Sequence, residues 1–152
     1  MSRRARALLV GTLAVGGLDI ADALVFYGLE GASPTAILHS IASGLLGRAA
    51  FAGGAATAAL GLALHFFISF CVVLVCVLVA PRVPALLRHP LAGGTVYGLV
   101  VYAVMYGAVL PLSGHGEAVF TVPHVADELL AHMFLVGMPA ALAARSAAGA
   151  GS

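Results

Sequence analysis

The sequence predicts an all-α membrane protein with four transmembrane helices and a short amphipathic interfacial helix between helices 1 and 2. Three observations predict it. Hydrophobic residues make up 62% of the 152 residues and charged residues 9%. A soluble domain carries roughly 25% charged residues, so this chain has too few polar groups to cover a wetted surface. Four apolar runs, 7–27, 55–80, 91–110 and 124–144, are each long enough, at about 1.5 Å per residue, to cross a hydrocarbon core of roughly 30 Å. Finally, if the runs alternate in direction, Arg3, Arg4, Arg6, Arg82, Arg88 and Arg145 fall on one side and Arg48 alone on the other. Arginine excess marks the cytoplasmic side, so both termini are expected there, with Glu30 and Glu117 outside.

The first run holds Asp19 and Asp22, unusual inside a span. A secretory signal peptide is its rival reading. Arg3, Arg4 and Arg6 form a positive start, Ala7 to Leu18 a short apolar region, and Ala21-Asp22-Ala23 a small-x-small cleavage pattern. The apolar stretch continues through Leu24, Val25, Phe26 and Tyr27, which favours a retained helix. Ser33-Pro34 then starts a helix, a cap followed by proline at the first helical position. Over 34–47, Ile37, Leu38, Ile41 and Leu45 oppose Thr35, His39, Ser43 and Arg48. This segment is too short to span; it predicts a helix lying in the outer interface with its polar face in water, or a re-entrant segment packed on the bundle.

Gly53-Gly54 breaks that element, and the second span ends at Pro81. A proline-rich loop leads to the third span, ended by Pro111. A polar loop from Ser113 to Pro123 precedes the fourth, which Pro139 should bend. A small-residue tail after Arg145 is expected to be disordered. Cys71 and Cys76 are five apart, on different helix faces, and read as small apolar packing residues. The seven basic residues form no stripe interleaved with aromatics, so nucleic acid is not an expected partner. The lipid bilayer is.

Ionisable groups inside a membrane cost at least ~2.5 kcal/mol near a helix centre and need partners, water or a purpose. Counting rise along the runs puts Asp19, Asp22, His65, Glu128 and His132 all in the outer half, on three different helices. Glu128 and His132 share a stripe at i, i+4. The stripe through His65 reads Ala58, Gly61, His65, Ser69. Helix 3 offers Gly94, Gly98, Tyr102 and Tyr106, and Gly94-x-x-x-Gly98 is a close-approach pattern. These faces should meet, with Ser69, Tyr102 and Tyr106 supporting a polar site. Structural hydrogen bonding between helices explains the same residues and stays open beside it.

Protonatable groups at that depth suit pH sensing, proton handling or small-ligand binding. His39, His115 and His124 add titratable groups on the same side. His65, Glu128 and His132 are also metal-ligand types, but no dense ligand motif accompanies them, so no cofactor is expected. No nucleotide loop, serine-hydrolase elbow or haem motif is present, and an enzyme is not the favoured class. Four helices are too few to enclose a wide pore, so a transport path would require a homo-oligomer. An accessory subunit packed on a membrane partner protein is the second class, and an intramembrane metalloprotein or enzyme the third.

Residues 60–140 carry Leu64-His65-Phe66-Phe67-Ile68-Ser69-Phe70, a loop ending at Pro81, Ala92-Gly93-Gly94, Leu110-Pro111-Leu112, Asp127-Glu128 and Ala131-His132. This half resembles the YagU-like small inner-membrane proteins of bacteria. The resemblance implies a bacterial inner-membrane location and a link to acid resistance. His65, Glu128 and His132 match that family's pattern, while Asp19 and Asp22 do not carry over. The family's segment between helices 1 and 2 is longer and more polar than the one here.

Overall fold

The computed structural model describes residues 1–116 and 120–149, all helix and connections with no strand among them. Glu117, expected on the outer side, lies outside the described residues, as does the end of the tail. The long helices are α1 (Arg3–Leu29), α3 (Gly54–Val79), α5 (Pro90–Leu112) and α6 (Val122–Ala148). With the turn that extends α3 to Arg82, all four are long and apolar enough to cross a membrane. Between them lie α2 (Pro34–Leu46) and the short α4 (Pro84–Arg88).

Local chemistry sets the starts. Ser2 and Ser33 each accept a bond from the amide three residues on, at 3.2 Å, and Pro34 follows Ser33 in the first turn. This satisfies amides that a helix start otherwise leaves orphaned. Gly54, at φ +60°, makes the reversal into α3, a conformation that costs glycine nothing.

One proline departs from the sequence expectation, and a second lies within its helix as expected. Pro111 does not end its helix, which continues to Leu112. Pro139 likewise sits inside α6. A proline ring has no N–H and collides with the carbonyl four residues back. In both cases a wide π turn directly precedes it, over Met105–Val109 in α5 and Ala131–Gly137 in α6. The wider turn moves that carbonyl aside and lets the helix pass through the proline. The helix also runs beyond Arg145 to Ala148, where Gly149 at φ +75° caps it; Arg145 is part of the helix, not the start of a disordered tail.

Small residues decide the packing. A Cβ at Gly94 would press on Gly137 and Met138 backbone at 2.7 Å, and one at Gly98 would strike the His132 carbonyl. The Gly94/Gly98 pair therefore brings α5 into backbone contact with α6, as its spacing predicts. Gly11 lets α1 pack closely on the side chains of Ala143 and Val73. The core is correspondingly made of Val15, Val73, Cys76, Val136 and the alanines 140, 141, 143 and 144. Cys71 and Cys76 are both free thiols. Neighbouring helices run antiparallel, α1 against α3 and α6, and α5 against α6. Arg3, Arg4, Arg6, Arg82, Arg88 and Arg145 consequently share one end of the bundle, and Arg48 lies at the other.

α3 and α5 part company. Near the arginine-bearing end the Tyr97 hydroxyl donates to the Val72 carbonyl at 2.7 Å. Beyond that bridge a cavity lies between the two helices.

Candidate polar site

The predicted stripe on α3 is buried throughout: Ala58, Gly61, His65, Ser69, then Val73 and Cys76. His65 Nε2–H donates to the Gly16 carbonyl of α1 at 2.8 Å, and Ser69 donates to the His65 carbonyl at 2.8 Å. Gly16 permits this approach, since a Cβ there would meet Phe66 and the Ser69 hydroxyl. Because a carbonyl can only accept, the neutral ring carries its proton on Nε2. Its Nδ1 lone pair faces Asp19 Oδ2 at 4.0 Å.

α6 builds the other wall. His132 Nδ1–H donates to the Glu128 backbone carbonyl at 2.8 Å, where the π turn begins. The Glu128 carboxylate is 3.6 Å from Nδ1, beyond hydrogen-bond length. Its bond comes instead from Tyr27 of α1, whose hydroxyl donates to Oε1 at 2.9 Å. Tyr102 and Tyr106 stack at 4.5 Å, and Tyr102 stands edge-on to the His132 ring at 5.5 Å. Asp19 is within electrostatic reach of His65, His132 and Asp22, and Asp22 of Glu128 and Asp127. Asp19, Asp22, His65, Glu128 and His132 thus come together from three helices at one level, away from the arginine-bearing end.

Two cavities meet at this cluster. A polar one of about 370 Å³ holds Asp19, Asp22, Tyr27, Ser40, Asp127 and Glu128 on its walls. An apolar one of about 390 Å³ fills the gap between α3 and α5, with Leu64, Ile68, Val101 and Met105 on its sides and His132 at its inner end. Asp19, Ile41, His65 and His115 line both.

The segment roofing them buries part of each expected stripe, Ile37 with His39 and Ser43, while Thr35 and Arg48 stay exposed, which departs from a helix with its whole polar face in water and fits the alternative of a segment packed on the bundle. In α2, His39 and Ser43 are buried, whereas Leu45 and Leu46 are 66% and 41% exposed. His39 and Ser43 face protein because protein supplies their partners: His39 donates to the Gly54 carbonyl at 2.8 Å, and Ser43 to the Ser40 carbonyl at 2.6 Å. Gly61 lets α2 press directly on α3, since a Cβ there would run into the Leu38 carbonyl. Gly61 is seven residues into α3, about 10 Å below its first turn at 1.5 Å per residue, so α2 packs on the side of the bundle.

The loop after α5 closes the roof. Gly114 N–H donates to the Gly44 carbonyl at 2.9 Å, and His115 Nε2 pairs with Ser40 Oγ at 3.0 Å. His115 Nδ1 is buried with no hydrogen-bond partner. Burial lowers the pKa of this ring below its ordinary value of 6.5, since a desolvated imidazolium is disfavoured. Outside the cluster, His124 Nε2 pairs with Glu30 Oε2 at 3.1 Å and ties the end of α1 to the start of α6.

Among the described residues no three His, Cys, Asp or Glu side chains converge as a metal-binding set. One nitrogen of His65 and one of His132 are already committed to backbone carbonyls, and Glu128 to Tyr27. The site residue that sequence reasoning missed is Tyr27, while His115, expected only as a titratable group on the same side, lines both cavities. Tyr27 closes its bond over 101 residues, and only the antiparallel contact of α1 with α6 reveals it. No family model, curated protein or solved structure matches this chain.

Proposed function

We propose that this chain is a non-enzymatic, proton-responsive protein of the bacterial inner membrane, in which the polar cavity admits protons to Asp19, His65, Glu128 and His132. Four helices of spanning length support membrane insertion. The arginine-bearing end is the cytoplasmic one on the positive-inside rule, which leaves the cavities towards the outer face. α1 supplies Asp19, Tyr27 and the Gly16 carbonyl, which favours a retained helix over a cleaved one.

The single observation that carries the reading is the pairing of two imidazoles and two carboxyl groups, from three helices, at the meeting of the two cavities. Each imidazole keeps one lone pair unspent, so each can take a proton without breaking its backbone bond. Four carboxyl groups with no arginine or lysine among the polar cavity's residues give it a field that gathers cations, protons included. The acid-resistance link implied by the YagU-like resemblance agrees with this use.

Infrared difference spectra of the protein in lipid, recorded between about pH 8 and pH 5, test it. Carboxyl C=O bands should grow on acidification, and Asp19→Asn and Glu128→Gln should each delete one band and move the midpoint of the other. Spectra unchanged by either substitution would refute the proposal.

A further inference from the structure

We infer that the apolar cavity between α3 and α5 binds a lipophilic amine, with its ammonium head at Asp19, His65 and His132 and its apolar body between Ile68 and Met105. The argument starts from hydrogen-bond capacity. His65 spends its N–H on Gly16 at 2.8 Å and His132 spends its N–H on the Glu128 carbonyl at 2.8 Å. What each neutral ring has left is a lone pair, on Nδ1 of His65 and Nε2 of His132. The Asp19 carboxylate adds further acceptors. Ser69 and Ser113, the hydroxyls on this cavity's wall, have already donated their protons to the His65 and Leu110 carbonyls. The head of the cavity is therefore all acceptors, and its complement is a group that only donates. An ammonium offers up to three N–H donors and no acceptor.

Charge agrees. The groups facing Asp19 are Asp22 and Tyr27 on its own helix, His65 from α3, Asp127, Glu128 and His132 from α6, and His115 from the loop after α5. α2 brings only the uncharged Ser40 and Ile41 to the shared wall, and α5 no charged group. Among the described residues no arginine lines either cavity. A fatty carboxylate would meet Asp19, with Asp22, Asp127 and Glu128 in the adjoining polar cavity. A phospholipid would bring a phosphate into the same field. A simple amine meets neither obstacle.

Shape agrees as well. About 390 Å³ is within the range of small-molecule sites, roughly 300–1,000 Å³. Leu64, Ile68, Val101 and Met105 supply walls for a short chain or ring, and methionine adapts to varied shapes. The gap between α3 and α5 gives entry from the side, as suits a ligand that partitions into lipid.

This inference rests on the proton reading only for its pH dependence. Protons on His65 Nδ1 and His132 Nε2 would turn acceptors into donors and place positive charge beside the ammonium, so acid should expel the ligand.

Equilibrium dialysis of radiolabelled octylammonium against the protein in phosphatidylcholine nanodiscs, with empty discs as blank, tests the site. At about pH 8, saturable binding of one amine per chain is expected, at least tenfold tighter than octanol, with octanoate not bound. Asp19→Asn should weaken it at least tenfold. Ile68→Trp, which fills the cavity and leaves the polar groups intact, should abolish it. Equal binding of octanol and octylammonium, or wild-type affinity in either variant, would overturn the assignment. Absence of saturable binding would overturn it while leaving the proton reading intact. Amine binding that is the same at about pH 5 would instead overturn the proton reading and leave the site standing.

Discussion

Replacing Tyr27 by phenylalanine removes one hydroxyl and little else. The ring keeps its edge contact with Phe26 at 5.2 Å and its tilted contact with His124 at 5.8 Å. What is lost is the 2.9 Å bond to Glu128 Oε1. Hydrogen bonds to charged groups contribute about 1.5–3 kcal/mol in soluble proteins. Between membrane helices the measured mean is nearer ~0.6 kcal/mol and the maximum ~1.7 kcal/mol. The Glu128 side chain is 20% exposed, so water recovers part of the loss, and a coupling of about 1 kcal/mol follows within that range. Reversible unfolding in mixed micelles, titrated with dodecyl sulfate, measures it. Tyr27→Phe and Glu128→Gln together should cost about 1 kcal/mol less than the sum of the singles. The cycle of His132→Ala with Glu128→Gln should show a weaker coupling, because His132 bonds to the Glu128 backbone and not to its side chain. Additivity of the Tyr27 and Glu128 changes within about 0.3 kcal/mol would refute the bond as the link between α1 and α6.

Gly61→Ala forces a Cβ into the Leu38 carbonyl and should destabilise by about 1–3 kcal/mol, whereas Gly17→Ala, with open space around it, should gain up to about 1 kcal/mol; thermal unfolding of both separates packing from propensity. In a chain with Cys71→Ala and Cys76→Ala, single cysteines at Thr35 and Arg48 should react with a membrane-impermeant maleimide, and ones at the buried His39 and Ser43 should not. Labelling at Ser43 would restore the interfacial orientation of α2. His115 binds its proton less readily folded than unfolded, so its contribution is complete above 6.5 and is lost as pH falls through that value. His115→Gln should flatten the acid side of the stability profile, and an unchanged profile would show that another group governs it.

The four long helices were legible because length and apolarity alone define them, and the α3 stripe because Ala58, Gly61, His65 and Ser69 repeat at helical spacing. Gly94 and Gly98 announced the α5–α6 contact for the same reason. That Asp19, His65, Glu128 and His132 share one level of the bundle followed from helix rise and alternating direction. The orientation of α2 did not follow, because an amphipathic pattern says which residues share a face and not whether water or protein satisfies it. His39 found its partner in the Gly54 carbonyl, a backbone atom that no side-chain pattern records. The π turns were likewise hidden. Pro111 and Pro139 signalled a disturbed helix, but whether it stops, bends or widens depends on the neighbouring helix held at Gly98 and Gly137. The cavity between α3 and α5 is set by where two helices fail to touch.

The most direct test is the through-space contact between the Gly16 carbonyl carbon and His65 Nε2, measured by solid-state NMR on selectively labelled protein in lipid bilayers. The account predicts a dipolar coupling consistent with the 2.8 Å hydrogen bond, persisting as the sample is acidified while the His65 Nδ1 resonance moves to its protonated position. No coupling between these two atoms, or an Nδ1 resonance indifferent to acid, would contradict it.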